Sequence, residues 1–171
     1  IDATAVATIT GTADAIVTAA QSVGITTAAN YAATVNSGTA TVAQALILDA
    51  DTTGAITATI SNGDLATLTT LTDANTNNAL TITVTDTSAD AANLMTVDGI
   101  TSVTVVATAV ATITGSAAEI IAILTGGTTT VAADVNFIID EDASAANIQL
   151  IAAATTGEIT ATLIIGETTL D

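Results

Sequence analysis

Thr4-Ala5-Val6-Ala7-Thr8-Ile9-Thr10-Gly11 returns letter for letter as Thr108-Ala109-Val110-Ala111-Thr112-Ile113-Thr114-Gly115, 104 residues further along. A second stretch, Thr52-Thr53-Gly54-Ala55-Ile56-Thr57-Ala58-Thr59, returns as Thr155-Thr156-Gly157-Glu158-Ile159-Thr160-Ala161-Thr162 at an offset of 103. Self-similarity at a fixed period is the mark of a stacked architecture, in which each unit buries its apolar face against its neighbours. Such chains present a surface or build a length.

Within the period, short alternating runs recur. They are Tyr31-Ala32-Ala33-Thr34-Val35, Ile56-Thr57-Ala58-Thr59-Ile60, Leu80-Thr81-Ile82-Thr83-Val84, Val103-Thr104-Val105-Val106-Ala107, Val135-Asn136-Phe137-Ile138-Ile139 and Ile159-Thr160-Ala161-Thr162-Leu163. Apolar residues at every second position predict half-buried strands. The run starts are 23 to 25 residues apart, except for one step of 32 that holds the extra segment Ala109 to Gly115. Tyr31 maps onto Val135, so four coils of about 24 residues make one super-repeat. The inward parity predicts a core of Ile56, Ile60, Leu80, Ile82, Val84, Val103, Val105, Phe137, Ile139 and Ile159.

Between the runs lie short helical patterns. Thr41/Gln44, Ser61/Asp64, Thr87/Asp90 and Ser116/Glu119 each have the spacing of a capping box, a hydroxyl followed three residues later by an acid or amide. Apolar residues then follow at helical spacing, as in Leu65, Leu68 and Leu71 or Ile120, Ile123 and Leu124. Strand, capped helix, strand predicts an α/β repeat solenoid. It spans 1–171 as one segment, with super-repeats at 4–107 and, incomplete, 108–171. The architecture resembles the leucine-rich-repeat class, without that family's Asn and Leu signature. A parallel β-solenoid is the alternative, and the Ala-rich stretches at 89–92 and 143–146 weigh against it.

Composition narrows the function. Half of the residues are apolar, mostly small aliphatics, and Tyr31 and Phe137 are the only aromatics. That suits thin regular layers better than a thick centre. The chain has no Lys, Arg, His, Cys or Pro, and its net charge is -17. No side-chain ion pair can form. The carboxylates must be solvated, hydrogen-bonded or bound to cations, and their mutual repulsion needs screening. On charge, nucleic acids are not expected as partners and anionic lipid surfaces are very poor candidates, and divalent cations are the natural ones. Thr interrupts every apolar run, so no stretch of about 18 apolar residues exists to span a membrane. The chain opens inside its own repeat, with neither Met nor a charged leader region, and reads as a segment of a longer or processed protein.

Three stretches carry a further likeness. Thr41-Val42-Ala43-Gln44-Ala45, the run from Asp49 to Ile60 and the run from Thr112 to Ile120 are similar to repeats of very large secreted proteins of cyanobacteria and other aquatic bacteria. Those proteins often carry calcium-binding RTX repeats elsewhere, although the Gly-Gly-x-Gly-x-Asp nonapeptide is absent here. The resemblance implies an extracellular or cell-surface adhesin-like role without enzymatic activity.

The candidate chemistry is limited. Without His, Cys or Lys there is no Ser–His or Cys–His nucleophile and no Schiff base. A carboxylate pair remains the one catalytic option, and no enzyme is expected. Calcium wants several hard oxygens. The acidic turn Asp140, Glu141, Asp142 is a candidate for it, with Asp49 and Asp51 as a second and Asp64, Asp86 and Asp90 stacked in neighbouring coils. A third feature is an outward ladder of Thr57, Thr59, Thr81, Thr83, Thr104, Thr160 and Thr162, the geometry of ice-binding or adhesive sheets. The expected role is structural: a filament, stalk or surface layer that grows by end-to-end stacking with itself, aided by calcium.

Overall fold

Parallel pairing, one layer to the next, sets the architecture. The computed structural model describes residues 1–164. The chain runs β1 (Asp2–Ala3), β2 (Thr8–Gly11), α1 (Ala13–Ala20), β3 (Thr26–Thr27), β4 (Ala32–Val35), α2 (Val42–Asp51), β5 (Ile56–Thr59) and α3 (Leu65–Leu68). It continues through β6 (Ala79–Thr81), β7 (Ser88–Asp90), α4 (Ala91–Asp98), β8 (Val105–Ala107), β9 (Thr112–Gly115) and α5 (Ala117–Gly126). It closes with β10 (Thr129–Val131), β11 (Asn136–Ala143), α6 (Ala145–Ala152) and β12 (Ile159–Leu163). The class is α/β, with every strand pair parallel.

The pairing offsets are nearly uniform. Thr8 lies opposite Ala32, Ala33 opposite Ile56, Ala58 opposite Leu80, Ala89 opposite Ile113 and Phe137 opposite Ile159. There are two four-stranded sheets, β2-β4-β5-β6 and β7-β9-β11-β12, and an isolated parallel bridge from Thr83, just after β6, to Val106 of β8. Two short pairs, β1-β3 and β8-β10, occupy a further side of the same layers. The result is seven successive layers among the described residues, each hydrogen-bonded to the next about 24 positions on.

Local sequence explains the elements. Thr and β-branched residues on alternating faces favour extended chain. In β5, Ile56 and Ala58 point inward while Thr57 and Thr59 point to solvent. Each helix starts at a side chain that accepts from an orphan backbone N–H: Thr12, Thr41, Asp64, Asp90, Ser116 and Ser144. Thr41/Gln44 and Ser116/Glu119 are complete capping boxes. Ser61 and Thr87 are not caps. The acids three residues later, Asp64 and Asp90, take that role, because an exposed carboxylate accepts from Thr67 and Asn93 directly and starts the helix there. The apolar stripes Leu65/Leu68, Leu94/Val97 and Ile120/Ile123 are all buried.

Two further expectations change. Thr112–Gly115 is no insertion: it is the central strand β9, with β7 on one side and β11 on the other, each at an offset of 24 residues. The step of 32 came from mixing strands on two sides of the layers. Asp140, Glu141 and Asp142 do not form a turn after a strand. They lie within β11, at a register shift between Ile138 and Asp142 that swings all three outward.

The core is one continuous cluster of small aliphatics. Of the ten expected core residues, Val103 and Ile159 are only half-buried and the others are buried. Both aromatics are fully buried. Tyr31 sits beside a small inward residue, Ala33, whereas the second unit has Val135 followed by Phe137, so the large side chain moves along by two positions. Phe137 stacks in register between Ile113 and Ile159. Its truncation leaves a void between two layers that backbone hydrogen bonds hold at fixed spacing. Phe137→Ala is expected to cost about 3–5 kcal/mol in urea unfolding. A cost below about 1 kcal/mol would contradict the packing described.

Candidate functional site

The polar side chains are used chiefly to tie layers together. The most regular device is a threonine at the corner before a strand. Thr52 Oγ1 donates to the Tyr31 carbonyl at 2.6 Å, Thr101 Oγ1 to the Leu80 carbonyl at 2.7 Å, and Thr155 Oγ1 to the Val135 carbonyl at 2.6 Å. Each hydroxyl also accepts from the N–H two residues on: Gly54 at 3.0 Å, Val103 at 3.1 Å and Gly157 at 2.9 Å. The following residue donates its own N–H to the preceding layer, as Thr53 to Ala29, Ser102 to Asn78 and Thr156 to Ala133. This is a local hydroxyl turn put to long-range use. Gly54 and Gly157 complete the motif, because a Cβ there would collide with the carbonyls of Tyr31 and Val135. At the junction of β5 and β6 a buried amide replaces the threonine: Asn78 Oδ1 accepts from the Ile56 N–H at 2.9 Å.

The carboxylates follow the same logic. Asp49 accepts from Thr72 at 2.8 Å and from Asn78 Nδ2 at 3.1 Å. Asp51 accepts from the Tyr31 hydroxyl at 2.8 Å. Asp86 accepts from the Leu65 N–H at 2.7 Å, so it helps to start a helix in the preceding layer. Asp98, which the sequence reading passed over, accepts from the hydroxyls of Thr128 and Thr129 at 2.7 and 2.8 Å. Asp90 caps α4. Hydrogen bonds from Thr67 hold the Asp64 carboxyl below its ordinary range, and bonds from Ser116 do the same for Glu119. Burial, followed by the bond to Asp51, pushes the Tyr31 phenol well above its usual value.

Asp140, Glu141 and Asp142 stand apart. All three are exposed and accept no hydrogen bond among the described residues. Their bulge occupies the place that Asn36, Ser37 and Gly38 hold 104 residues earlier. Asp49, Asp51, Asp86 and Asp90 are not drawn to them, and no group of three metal-ligating side chains comes together among the described residues.

The threonine ladder is present in pieces. Thr57, Thr59, Thr81, Thr83, Thr104, Thr160 and Thr162 are all exposed. One outward row reads Thr10, Thr34, Thr57 and then Ala79. Thr59 lies opposite Thr81, but Thr83 faces Val106, Thr160 faces Ile138 and Thr162 faces Asp142. Open clefts are shallow in chemistry. One of about 410 Å³ is lined by Asp14, Thr39, Thr41 and Gln44, and its single carboxylate is engaged by Gln44 Nε2 at 2.5 Å. No helix among the described residues is long and apolar enough to cross a membrane.

No protein-family model, curated protein or solved structure matches this chain.

The threonine corners were readable in principle. Thr52-Thr53-Gly54 and Thr155-Thr156-Gly157 belong to the repeated stretch itself. What sequence could not supply is the carbonyl on the preceding layer. Thr52→Val keeps the shape but strands the Tyr31 carbonyl and the Gly54 N–H, and it is expected to cost about 1–3 kcal/mol in urea unfolding. Thr53→Ala, with its exposed hydroxyl, is expected to cost less than about 1 kcal/mol. Equal costs at the two positions would overturn the assignment. Tyr31 yields a second outcome. Its raised folded value favours the neutral phenol, so that stabilisation is intact below pH about 10 and is lost as pH rises further. Unfolding followed by circular dichroism against pH should show this alkaline loss in the parent and its absence in Tyr31→Phe.

Proposed function

We propose that the chain is a segment of a non-enzymatic, extracellular structural repeat protein, an α/β solenoid that serves as a stalk, filament or surface-layer body. The observation that carries this reading is how the polar groups are used. Thr52, Thr101 and Thr155, together with Asp49, Asp86 and Asp98, bind neighbouring layers to one another rather than converging on a pocket. The recurrence of cap, strand and corner at an offset of 103 or 104 residues supports a unit built for repetition. Among the described residues β2 and β12 each have a partner on one side only, so layers can be added at either end. The calcium role takes the form of screening: mobile divalent cations offset the repulsion of the exposed acids, Asp140, Glu141 and Asp142 foremost. An ice-binding or adhesive threonine face is the weaker reading, because Ala79, Val106 and Ile138 interrupt the rows.

Growth by layers has a dimensional consequence. Inserting one further Thr4–Ala107 unit in frame adds four layers. At a strand spacing of about 4.8 Å the particle should lengthen by about 19 Å with its cross-section unchanged. Small-angle X-ray scattering on the parent and extended proteins reads this directly. A second globular body beside the first, or a thicker particle of the same length, would overturn the solenoid reading.

A further inference from the structure

The same eight residues occupy two different surroundings in this protein. At Thr108–Gly115, strand β7 lies alongside, with Ser88 opposite Thr112, Ala89 opposite Ile113 and Asp90 opposite Thr114. The Thr87 carbonyl accepts from the N–H groups of Ala111 and Thr112. Val110 and Ile113 are 0% exposed. At Thr4–Gly11 the corresponding edge of β2 has no partner among the described residues, Val6 is 40% exposed and Ile9 is half-buried. The side chains are identical, so the difference lies in what covers them.

Glycine reports the same absence independently. A Cβ on Gly115 would sit 2.7 Å from the Ala91 Cβ, so the neighbouring layer demands glycine at that position. On Gly11 the nearest atoms belong to Ala15 and Ile16 of its own helix, at 3.8 and 3.9 Å. Gly11 has a backbone reason of its own for being glycine, φ +159°, and it also leaves room for a methyl group where Ala91 stands beside Gly115, a group that no described residue supplies.

The other face without a strand partner among the described residues narrows the partner. β12 repeats β5, and the free side of β12 corresponds to the side of β5 that receives β6, through Thr57–Ala79, Ala58–Leu80 and Thr59–Thr81. The fourth layer holds both β6, which pairs backward, and β7, which pairs forward. We propose that the face formed by Ala3, Val6, Ile9 and Gly11 is an interaction surface for a fourth-type layer, one that presents the β6–β7–α4 surface of this same repeat. The partner is thus another four-layer unit of this chain joined in frame. The β12 end of a second copy is third-type and lacks both the β7 strand and the Ala91 methyl. This inference rests on the stacked reading proposed above.

The chain has no cysteine, so a single introduced thiol reports burial cleanly. The probe is the rate of thiol labelling at Val6→Cys in the parent and in a fusion that places a second Ile1–Ala107 ahead of Thr4. Its junction reproduces the native step from Ala107 into the octapeptide. Labelling should slow at least tenfold in the fusion, towards the rate of Val110→Cys in the parent. A fusion whose front unit stops at Val84, one layer short, should label as fast as the parent. Gly11→Ala should lower the melting temperature of the full fusion by more than it lowers that of the parent, where only the backbone strain at φ +159° is felt. Fast labelling in the full fusion overturns the inference. So does equal protection by the short fusion, or protection of the parent that rises with its concentration. Fast labelling of Val110→Cys in the parent means instead that the layers do not stack, and it overturns the underlying reading.

Discussion

A chain without lysine, arginine or histidine must satisfy its carboxylates with N–H and O–H donors, and much of the architecture follows from that constraint. Asp14 takes an amide from Gln44, Asp49 takes one from Asn78, and Asp98 takes two hydroxyls from Thr128 and Thr129. Each of these bonds crosses to the next layer. Asp49 and Asp98 also stand in the last turns of α2 and α4, where the helix dipole disfavours negative charge. Donors from the following layer offset that cost. Elsewhere the acids move to helix starts, where the dipole and the orphan N–H groups favour them, as at Asp64, Asp90 and Glu119. Charge that would be a liability in an isolated layer becomes a link between layers.

The interior shows the complementary economy. Layers hydrogen-bonded at a fixed spacing leave a narrow inner space, which Ala, Val, Ile and Leu fill. One aromatic per unit is accommodated only where its inward neighbour on the strand is smaller. Tyr31 is followed by Ala33 and Phe137 is preceded by Val135, so volume is kept while position is exchanged. Tyr31 adds a polar tip that reaches Asp51, and Phe137 makes no such demand.

Much of this fold was legible from periodicity. Runs of period two marked six of the strands, and the buried helix stripes fell where the apolar spacing put them. Boundaries and caps were harder. Ser61 and Thr87 satisfy the capping-box spacing, yet Asp64 and Asp90 cap the helices, since spacing alone does not say which of two acceptors faces the orphan N–H. Thr112–Gly115 looked like an insertion because a linear scan cannot tell strands on different sides of one layer apart. The acidic tripeptide was readable as exposed, but its bulge within β11 depends on register against β12. The corner threonines went unread for a similar reason. Their partners lie 20 or 21 residues back, so the repeated Thr-Thr-Gly marks the position while the carbonyl it binds is out of local view.

The identity of the two octapeptides bears on how such a protein changes length. A stretch bounded by two copies of one sequence can be deleted or duplicated by recombination between them, and each new junction reads like an old one. No new contact surface has to arise, because the seam at β7 and β9 already exists in the chain. The step by this route is the 104 residues between the two octapeptides, which is four of the hydrogen-bonded layers.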